Sequence, residues 1–379
     1  VPFLFRPSFS REDRDGMAAV LESGMVATGQ KSHEFERAIA ATIGVEAAVA
    51  TNSGTSAMSL ALDVLGIGTG DEVITPSLTC IGVVNAIARS GAIPVFADID
   101  PLTLCLDPAS VRDAASTKTR AIVPVHYGGH PYDTVGMRAV AREIGATIVG
   151  DLAHALGATV GGEPVGRFAD LSLLSFHATK IITTGEGGML AGPAEIIERA
   201  RLDTRHGVGD DLPGSEAEFA GSRWISPGLK IGMSDIQAAL GLTQFAGLEA
   251  RLAARRRVAE SYTAAFAEHP HLVTPAEQPG SLSSWHFYTL RVSADAFGPD
   301  AAAFIAGVHQ RGGAAARQFY PAHLMPLFSG DATRAAVPLT VTERESFLSM
   351  SLPVYPGIPE ADVRAVIDAV LQTAESLTR

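Results

Sequence analysis

Two side chains in this sequence are spaced to share a reaction centre. The stretch Leu171 to Leu190, LSLLSFHATKIITTGEGGML, runs as an apolar strand through Ser175 and His177 to Lys180 and then into a glycine-rich turn. Upstream, the apolar run Ala146 to Gly150 ends on Asp151 and continues Leu152-Ala153-His154. Parallel strands of an open α/β sheet end on one edge, so an acid and a lysine that both follow strands can meet in one crevice. A lysine amine can join a cofactor aldehyde as a Schiff base if it has a flexible arm and a pKa that the site can lower. Lys180 suits that role. A pyridine ring works as an electron sink only while its nitrogen stays protonated, and a neighbouring carboxylate, here Asp151, holds that proton. The pair is the minimum set for pyridoxal 5'-phosphate chemistry.

The cofactor's phosphate needs several donors, best supplied where small residues open a helix. Asn52-Ser53-Gly54-Thr55-Ser56 precedes AMSLALDVL, which reads as a helix with Ala57, Leu60, Ala61 and Val64 on one face. Ser175, just ahead of Lys180, offers a further hydroxyl. Each piece alone has a plainer explanation: an N-cap for the Ser/Thr cluster, a turn residue for Asp151, a solvated loop lysine for Lys180. Their order along the chain is what argues for a single site.

These residues need a sheet to carry them. From about residue 45 the pattern alternates between strands (AAVAT, DEVITPS, IPVFADID, RAIVPVHY, TIVGD, LSLLSF, GGMLAG) and helices, which predicts an α/β fold with a mainly parallel seven-stranded sheet between helices. A long helical stretch, Ser234 to Phe266, is expected to lead into a smaller α+β domain with WHFYTLRV as a strand, a helix from Ala301 and a closing helix from Glu360 to Leu377. The boundary is placed between a large domain, 1–245 with its N-terminal arm, and a small one, 246–379. With 379 residues, 46% hydrophobic and 18% charged, the chain can bury the cores of two domains.

A formal net charge of −12 argues against nucleic acid or an anionic membrane as the main partner. The one dense basic run, Arg251 to Arg257, is expected to be a solvated helix face. Cys80 and Cys105 are too few for a disulfide framework and suit a reducing cytoplasm. No leader or membrane-spanning run is read, so a cytoplasmic protein is expected. Three other motifs are set aside. Gly66-Ile67-Gly68-Thr69-Gly70 precedes a strand and opens no helix, unlike a dinucleotide loop. Asp98-Ile99-Asp100 resembles a metal-holding DxD but reads better as a strand-end turn before Pro101. His126 and His130 are separated by Gly128 and Gly129, which exclude a helix aligning both rings, so no metal site is expected.

Taken together, SGMVATGQKSHEFE, TNSGTSAMSLAL, GDEVITPSLT, PVFADIDPLTL, PVHYGGHPYD, GDLAHALGA, SFHATKIITTGEGGML, GMSDIQAALG, SWHFYTLRV and SMSLPVYPGI make the chain resemble the DegT/DnrJ/EryC1/StrS family of fold-type I, pyridoxal phosphate-dependent sugar aminotransferases, closest to the branch forming 4-amino sugars on nucleotide carriers. The resemblance implies that Lys180 is the Schiff-base lysine and proton shuttle and Asp151 the partner of the pyridinium nitrogen. It sets His154 beside the ring near its 3-hydroxyl, and gives the phosphate to Thr55, Ser56 and Ser175 with Gly54 allowing close approach. It also implies a homodimer with shared active sites, with Lys230 as the residue sent toward the partner's phosphate site, and sugar contacts from Arg317, Tyr320 and His323.

The implied reaction moves an amino group from L-glutamate or L-glutamine to a nucleotide-linked keto-sugar, with a free keto-cyclitol as an alternative acceptor. Relatives acting as sugar dehydratases carry histidine at the place of Lys180, and a regulatory protein on this fold would not need that lysine. Three positions depart from the family pattern. Cys80 stands where an aromatic residue stacks on the cofactor, Ile231 and Gly232 follow Lys230 in place of an aromatic and an Asn or Arg, and Arg317 replaces a less charged residue. Weaker stacking, an altered cross-chain contact and a shifted substrate are the respective expectations.

Overall fold

The computed structural model describes residues 2–208, 224–329 and 334–377. The strands read from the sequence all form: β1 (Ala47–Thr51), β2 (Glu72–Pro76), β3 (Ile93–Ala97), β4 (Thr119–Ile122), β5 (Thr147–Asp151), β6 (Leu171–Ser175) and β7 (Gly188–Gly192). They lie in the order β1-β7-β6-β5-β4-β2-β3, and the two-residue strand Arg334–Ala335 adds an eighth beside β3. All pairings are parallel except those of β7 with β1 and β6.

Alternation decides which side of the sheet each residue serves. Val73, Ala121, Val149 and Leu173 join the core beneath helices Gly54–Val64 and Ile81–Arg89. Their neighbours Ile74, Ile122 and Ile148 face Val111 and Met137, from helices Pro108–Ala114 and Thr134–Ile144, while Leu174 packs with Phe35 and Ile39. A sheet covered on both faces must be apolar at consecutive positions, which is why its strands read as unbroken apolar runs. Local signals set the helix starts: Ser53 and Asp133 each accept a hydrogen bond from the third residue beyond, and Ser234 forms a capping box with Gln237.

The C-terminal region has its own core, with Tyr262, Phe266, Phe304, Met350, Val366 and Val370 fully buried together. Its antiparallel strands Leu272–Val273, Tyr288–Val292 and Ser349–Leu352 are backed by helix Glu360–Leu377. Two sequence expectations need correction. The helical stretch from Ser234 to Phe266 is two helices, Asp235–Ala246 and Leu248–Phe266, meeting at Gly247. The basic run is not a solvated face: Arg255 is 2% exposed and donates to the carbonyls of His286 at 2.9 Å and Val354 at 2.7 Å, while Arg256 pairs with Glu277 at 3.1 Å. Charge density along a helix says nothing about the carbonyls that a neighbouring domain will present to it.

Asp98 also has a clear employment. Its carboxylate accepts from the amides of Val341 at 2.9 Å and Thr342 at 2.7 Å and from the Thr342 hydroxyl at 2.7 Å, capping helix Thr340–Leu348 from another part of the chain. Asp100 accepts from Leu102 and Thr103 in a turn. Both acids are therefore committed to backbone donors. Asp98→Ala strands those donors and is expected to cost about 2 kcal/mol, read as a lower denaturation midpoint.

Candidate active site

The carboxyl ends of β5 and β6 and the start of helix Gly54–Val64 open onto one cavity of about 350 Å³. Asp151 and Lys180 both line it, with Ser53, Gly54, Thr55, Cys80 and Ser175. Lys180 lies in the loop between β6 and β7, which Phe176 closes twice: its amide donates to the Gly187 carbonyl at 2.9 Å and its carbonyl accepts from the Thr184 amide at 2.9 Å. That closure places the lysine over the sheet edge where Asp151 ends β5.

Asp151 is 3% exposed, and its Oδ1 accepts from the Ala153 amide at 2.8 Å. Burial pushes its carboxyl up to about 6, against the Ala153 hydrogen bond and the nearby Lys180 charge, which both pull it down. Burial likewise lowers the Lys180 amine below its ordinary value, opposed by Asp151 and Cys80. Among the described residues Lys180 makes no salt bridge, so the two charges feel each other without touching. A neutral amine is a nucleophile and a proton acceptor, and the cavity moves Lys180 toward that form.

At the cradle, Ser53 Oγ caps the helix by accepting from the Ser56 amide at 3.1 Å, while Ser56 Oγ turns back to Asn52 Oδ1 at 2.6 Å. Gly54 and Thr55 thus face the cavity and the Ser56 hydroxyl serves the turn. Close approach governs the glycines here. A Cβ on Gly54 would lie 3.0 Å from the Ser175 Cβ, one on Gly82 would lie 2.6 Å from Thr55 Oγ1, and one on Gly188 would collide with the Ser53 carbonyl and come within 2.5 Å of the Gly54 amide nitrogen. Gly188→Ala must therefore push the cradle backbone outward. The expected result is a loss of about 1–3 kcal/mol in stability, together with weaker cofactor retention in equilibrium dialysis.

Other predicted residues stand further off. His154 is 2% exposed and does not line the cavity; its ring stacks on His286 at 4.4 Å and parallel to Phe319 at 6.1 Å. Burial, helped by the Lys180 and His126 charges, holds it neutral. Lys230 lies on a segment tied to the cradle, since the Ile231 carbonyl accepts from the Asn52 amide at 2.7 Å, but it does not line this chain's own cavity. Arg317 donates to Asp300 and to the Ser346 carbonyl at 2.9 Å, with its guanidinium over the Phe347 ring. Tyr320 meets the edge of the same ring, and His323 bridges Ser77 at 2.7 Å and Glu343 at 3.2 Å. These three fix the segment; Gln318 and Phe319, between them, are the residues that reach the cavity. His177, Glu186 and His286 line it too. Of these, His286 was open to sequence reasoning, as a histidine set among Trp285, Phe287 and Tyr288 at the entry to strand Tyr288–Val292.

His126 and His130 are buried, which pushes their pKa values down to about 3 and about 4. Among the described residues no cluster of three or more His, Cys, Asp or Glu side chains could hold a metal ion.

An acid ending one parallel strand, a lysine on the loop after the next and a glycine-lined helix start on the same sheet edge are the architecture of fold-type I pyridoxal phosphate-dependent transferases. The model of the DegT/DnrJ/EryC1/StrS aminotransferase family matches residues 7–371, and the chain belongs to that family. It is 36% identical over 369 residues, 96% of its length and 95% of the relative's, to the spore coat polysaccharide biosynthesis protein SpsC of Bacillus subtilis. Among solved structures it matches the aminotransferase TlmJ of Streptoalloteichus hindustanus over 100% of both chains, with a TM-score of 0.92 and 30% identity. The PLP-form of the putative sugar aminotransferase Spr1654 of Streptococcus pneumoniae matches over 100% of this chain and 99% of that one, with a TM-score of 0.90 and 27% identity.

The residues present fit pyridoxal phosphate. A buried carboxylate, a lysine with a lowered pKa, and a helix start whose glycines leave the space a Cβ would fill are together what that cofactor requires.

Proposed function

We propose that this aminotransferase moves an amino group from L-glutamate or L-glutamine to the ketone of a nucleotide-linked sugar. Pyridoxal phosphate is the cofactor, and when bound it supplies the aldehyde carbon that carries the amino group and the ring that accepts an electron pair. The protein supplies the rest. Lys180 Nζ takes the proton from the donor's α-carbon and returns it on the far side of the transfer, a role that needs an amine close to neutral at working pH. Asp151, buried beneath the site, keeps a positive pyridinium beside it. Ser53, Thr55 and Ser175 meet the phosphate, and Val83 and Phe319 limit water at the reacting face.

The observation that carries this reading is the meeting of Asp151 and Lys180 in one cavity above the glycine-lined cradle. The sugar class is supported by the names of SpsC and Spr1654, a polysaccharide biosynthesis protein and a putative sugar aminotransferase. A homodimer is part of the same proposal. Among the described residues that line the cavity, Lys180, His177 and His286 are the basic ones and none is an arginine, which is little positive charge for a phosphate and a donor carboxylate together. A second copy bringing its Lys230 segment would supply it. Two free cysteines, one of them buried, support a reducing cytoplasm as the setting; among the described residues no helix is long and apolar enough to cross a membrane.

The test is the absorption spectrum of the purified enzyme during addition of L-glutamate and then L-glutamine. Loss of the visible band with one donor, and its return on adding a nucleotide-linked keto-sugar, is expected. A band that no donor and acceptor pair can cycle would overturn the proposal.

A further inference from the structure

A second, much smaller cavity adjoins Lys180 without reaching Asp151. Its volume is about 10 Å³, and Phe5, Arg6, Lys180, Arg251, Arg255 and Tyr355 contribute to its wall. The N-terminal arm covers it: the Ser8 carbonyl accepts from Gln244 at 3.2 Å, the Ser8 hydroxyl accepts from Arg251 at 3.4 Å, and the Phe5 ring stacks parallel to His286 at 6.0 Å. Among the described residues, four cationic side chains border this space and no Asp or Glu lines it. Among the described residues the acid paired with Arg251 is Asp13, at 4.0 Å, which already accepts from Gln244 and from the Ser10 amide.

Arg255 makes the imbalance acute. It is 2% exposed, its Nη1 is taken by backbone carbonyls, and its buried Nε donor has no hydrogen-bond partner. A buried guanidinium without a counter-charge is costly, and carbonyl dipoles offset only part of that cost. The space is small, room for one water or one monatomic ion and too little for a polyatomic anion such as phosphate. Water would satisfy the donor and leave the charge uncompensated.

We propose that this crevice is a binding site for one small monovalent anion of halide size, held between Arg251 and Arg255 beneath the N-terminal arm. The anion joins three parts of the chain: the arm, helix Leu248–Phe266 and the Lys180 loop. It also places negative charge beside the Lys180 loop, which favours the protonated amine. Salt identity, as distinct from ionic strength, is thereby linked to both stability and the protonation of that lysine.

The experiment is a bromide soak of crystals of the cofactor-loaded enzyme, with anomalous scattering to locate the ion, paired with thermal denaturation in chloride and in gluconate at equal ionic strength. A bromide peak between Arg251 and Arg255 is expected, with a melting temperature about 2 °C higher in chloride than in gluconate. Both effects should vanish in Arg251→Gln. Should that variant fold poorly, Arg6→Gln, on the exposed arm, should weaken the peak and reduce the chloride effect. Absence of a bromide peak, equal melting in the two salts, or a peak that survives Arg251→Gln unchanged would each overturn the proposal. None of these results depends on which amino donor or sugar the enzyme uses.

Discussion

Lys180→Ala is expected to abolish amino transfer, with a fall in turnover on the order of 10⁴-fold, while the protein folds and still takes up pyridoxal phosphate. The separation of effects follows from the position of the side chain. Lys180 lines the cavity and makes no salt bridge among the described residues, so its removal breaks no direct contact and costs the buried Asp151 only the more distant pull of its charge. Burial disfavours its charged form, so the truncated site loses a desolvation cost along with the amine. The cradle at Ser53, Gly54 and Thr55 is untouched, and the phosphate keeps its donors. Three measurements check this: steady-state turnover, cofactor content after gel filtration, and the melting temperature, which should stay close to that of the unaltered enzyme. Turnover within tenfold of the original would remove Lys180 from the chemistry.

Asp151→Asn should separate function from stability in the opposite direction. Burial raises the Asp151 carboxyl from 3.8 to about 6. A carboxylate whose folded pKa is raised binds its proton more tightly in the folded chain than in the unfolded one. The Asp151 contribution to the stability of the cofactor-free protein should therefore fall as pH rises from about 4 to about 6 and be fully lost above that window. Buried His126 and His130, whose pKa values are lowered, push total stability the other way over the same range, so the contribution is read as the difference between the original and the variant. Converted at 1.36 kcal/mol per unit, the shift corresponds to roughly 3 kcal/mol at neutral pH. Asn keeps an oxygen for the Ala153 amide, now at 2.8 Å, and carries no charge to bury. Cofactor-free Asp151→Asn should thus be more stable than the original at pH 7, by up to that amount, and the gap between the two should close as pH falls from about 6 to about 4. The loaded enzyme should instead lose turnover by about 10²–10⁴-fold, because a neutral amide cannot hold the pyridinium proton. Urea denaturation of the cofactor-free forms across this pH range, set beside turnover of the loaded forms, tests both halves. A cofactor-free variant that is less stable than the original at pH 7 would show that Asp151 is held by contacts beyond the Ala153 amide.

Much of this architecture was legible because local signals and the global fold agree. A strand buried on both faces must be apolar throughout, so TIVGD and LSLLS announced themselves, and the residues just past them had to lie at the sheet edge. Ser53, Asp133 and Ser234 mark helix starts through hydrogen bonds spanning three residues, which a sequence displays directly. The closing helix Glu360–Leu377 was equally plain. Long-range partners were not. Asp98 looked like half of a metal motif or a turn, and its task of capping a helix some 240 positions away depends on chain packing. Arg255 looked solvated because its helix repeat carries no record of the carbonyls it will meet.

The sequence by itself determined the fold class, the cofactor chemistry and the positions of Asp151, Lys180 and the cradle, since these follow from periodicity and from the order in which the residues occur along the chain. Only the tertiary structure decided which neighbours complete the cavity. His286, Gln318 and Phe319 arrive from the C-terminal region, whereas Arg317, Tyr320 and His323, from the same segment, are turned to Asp300, Phe347 and Ser77. It alone set the pKa values as well, because a carboxyl and an amine shift with the water excluded around them, and that exclusion exists only once distant parts of the chain have packed together.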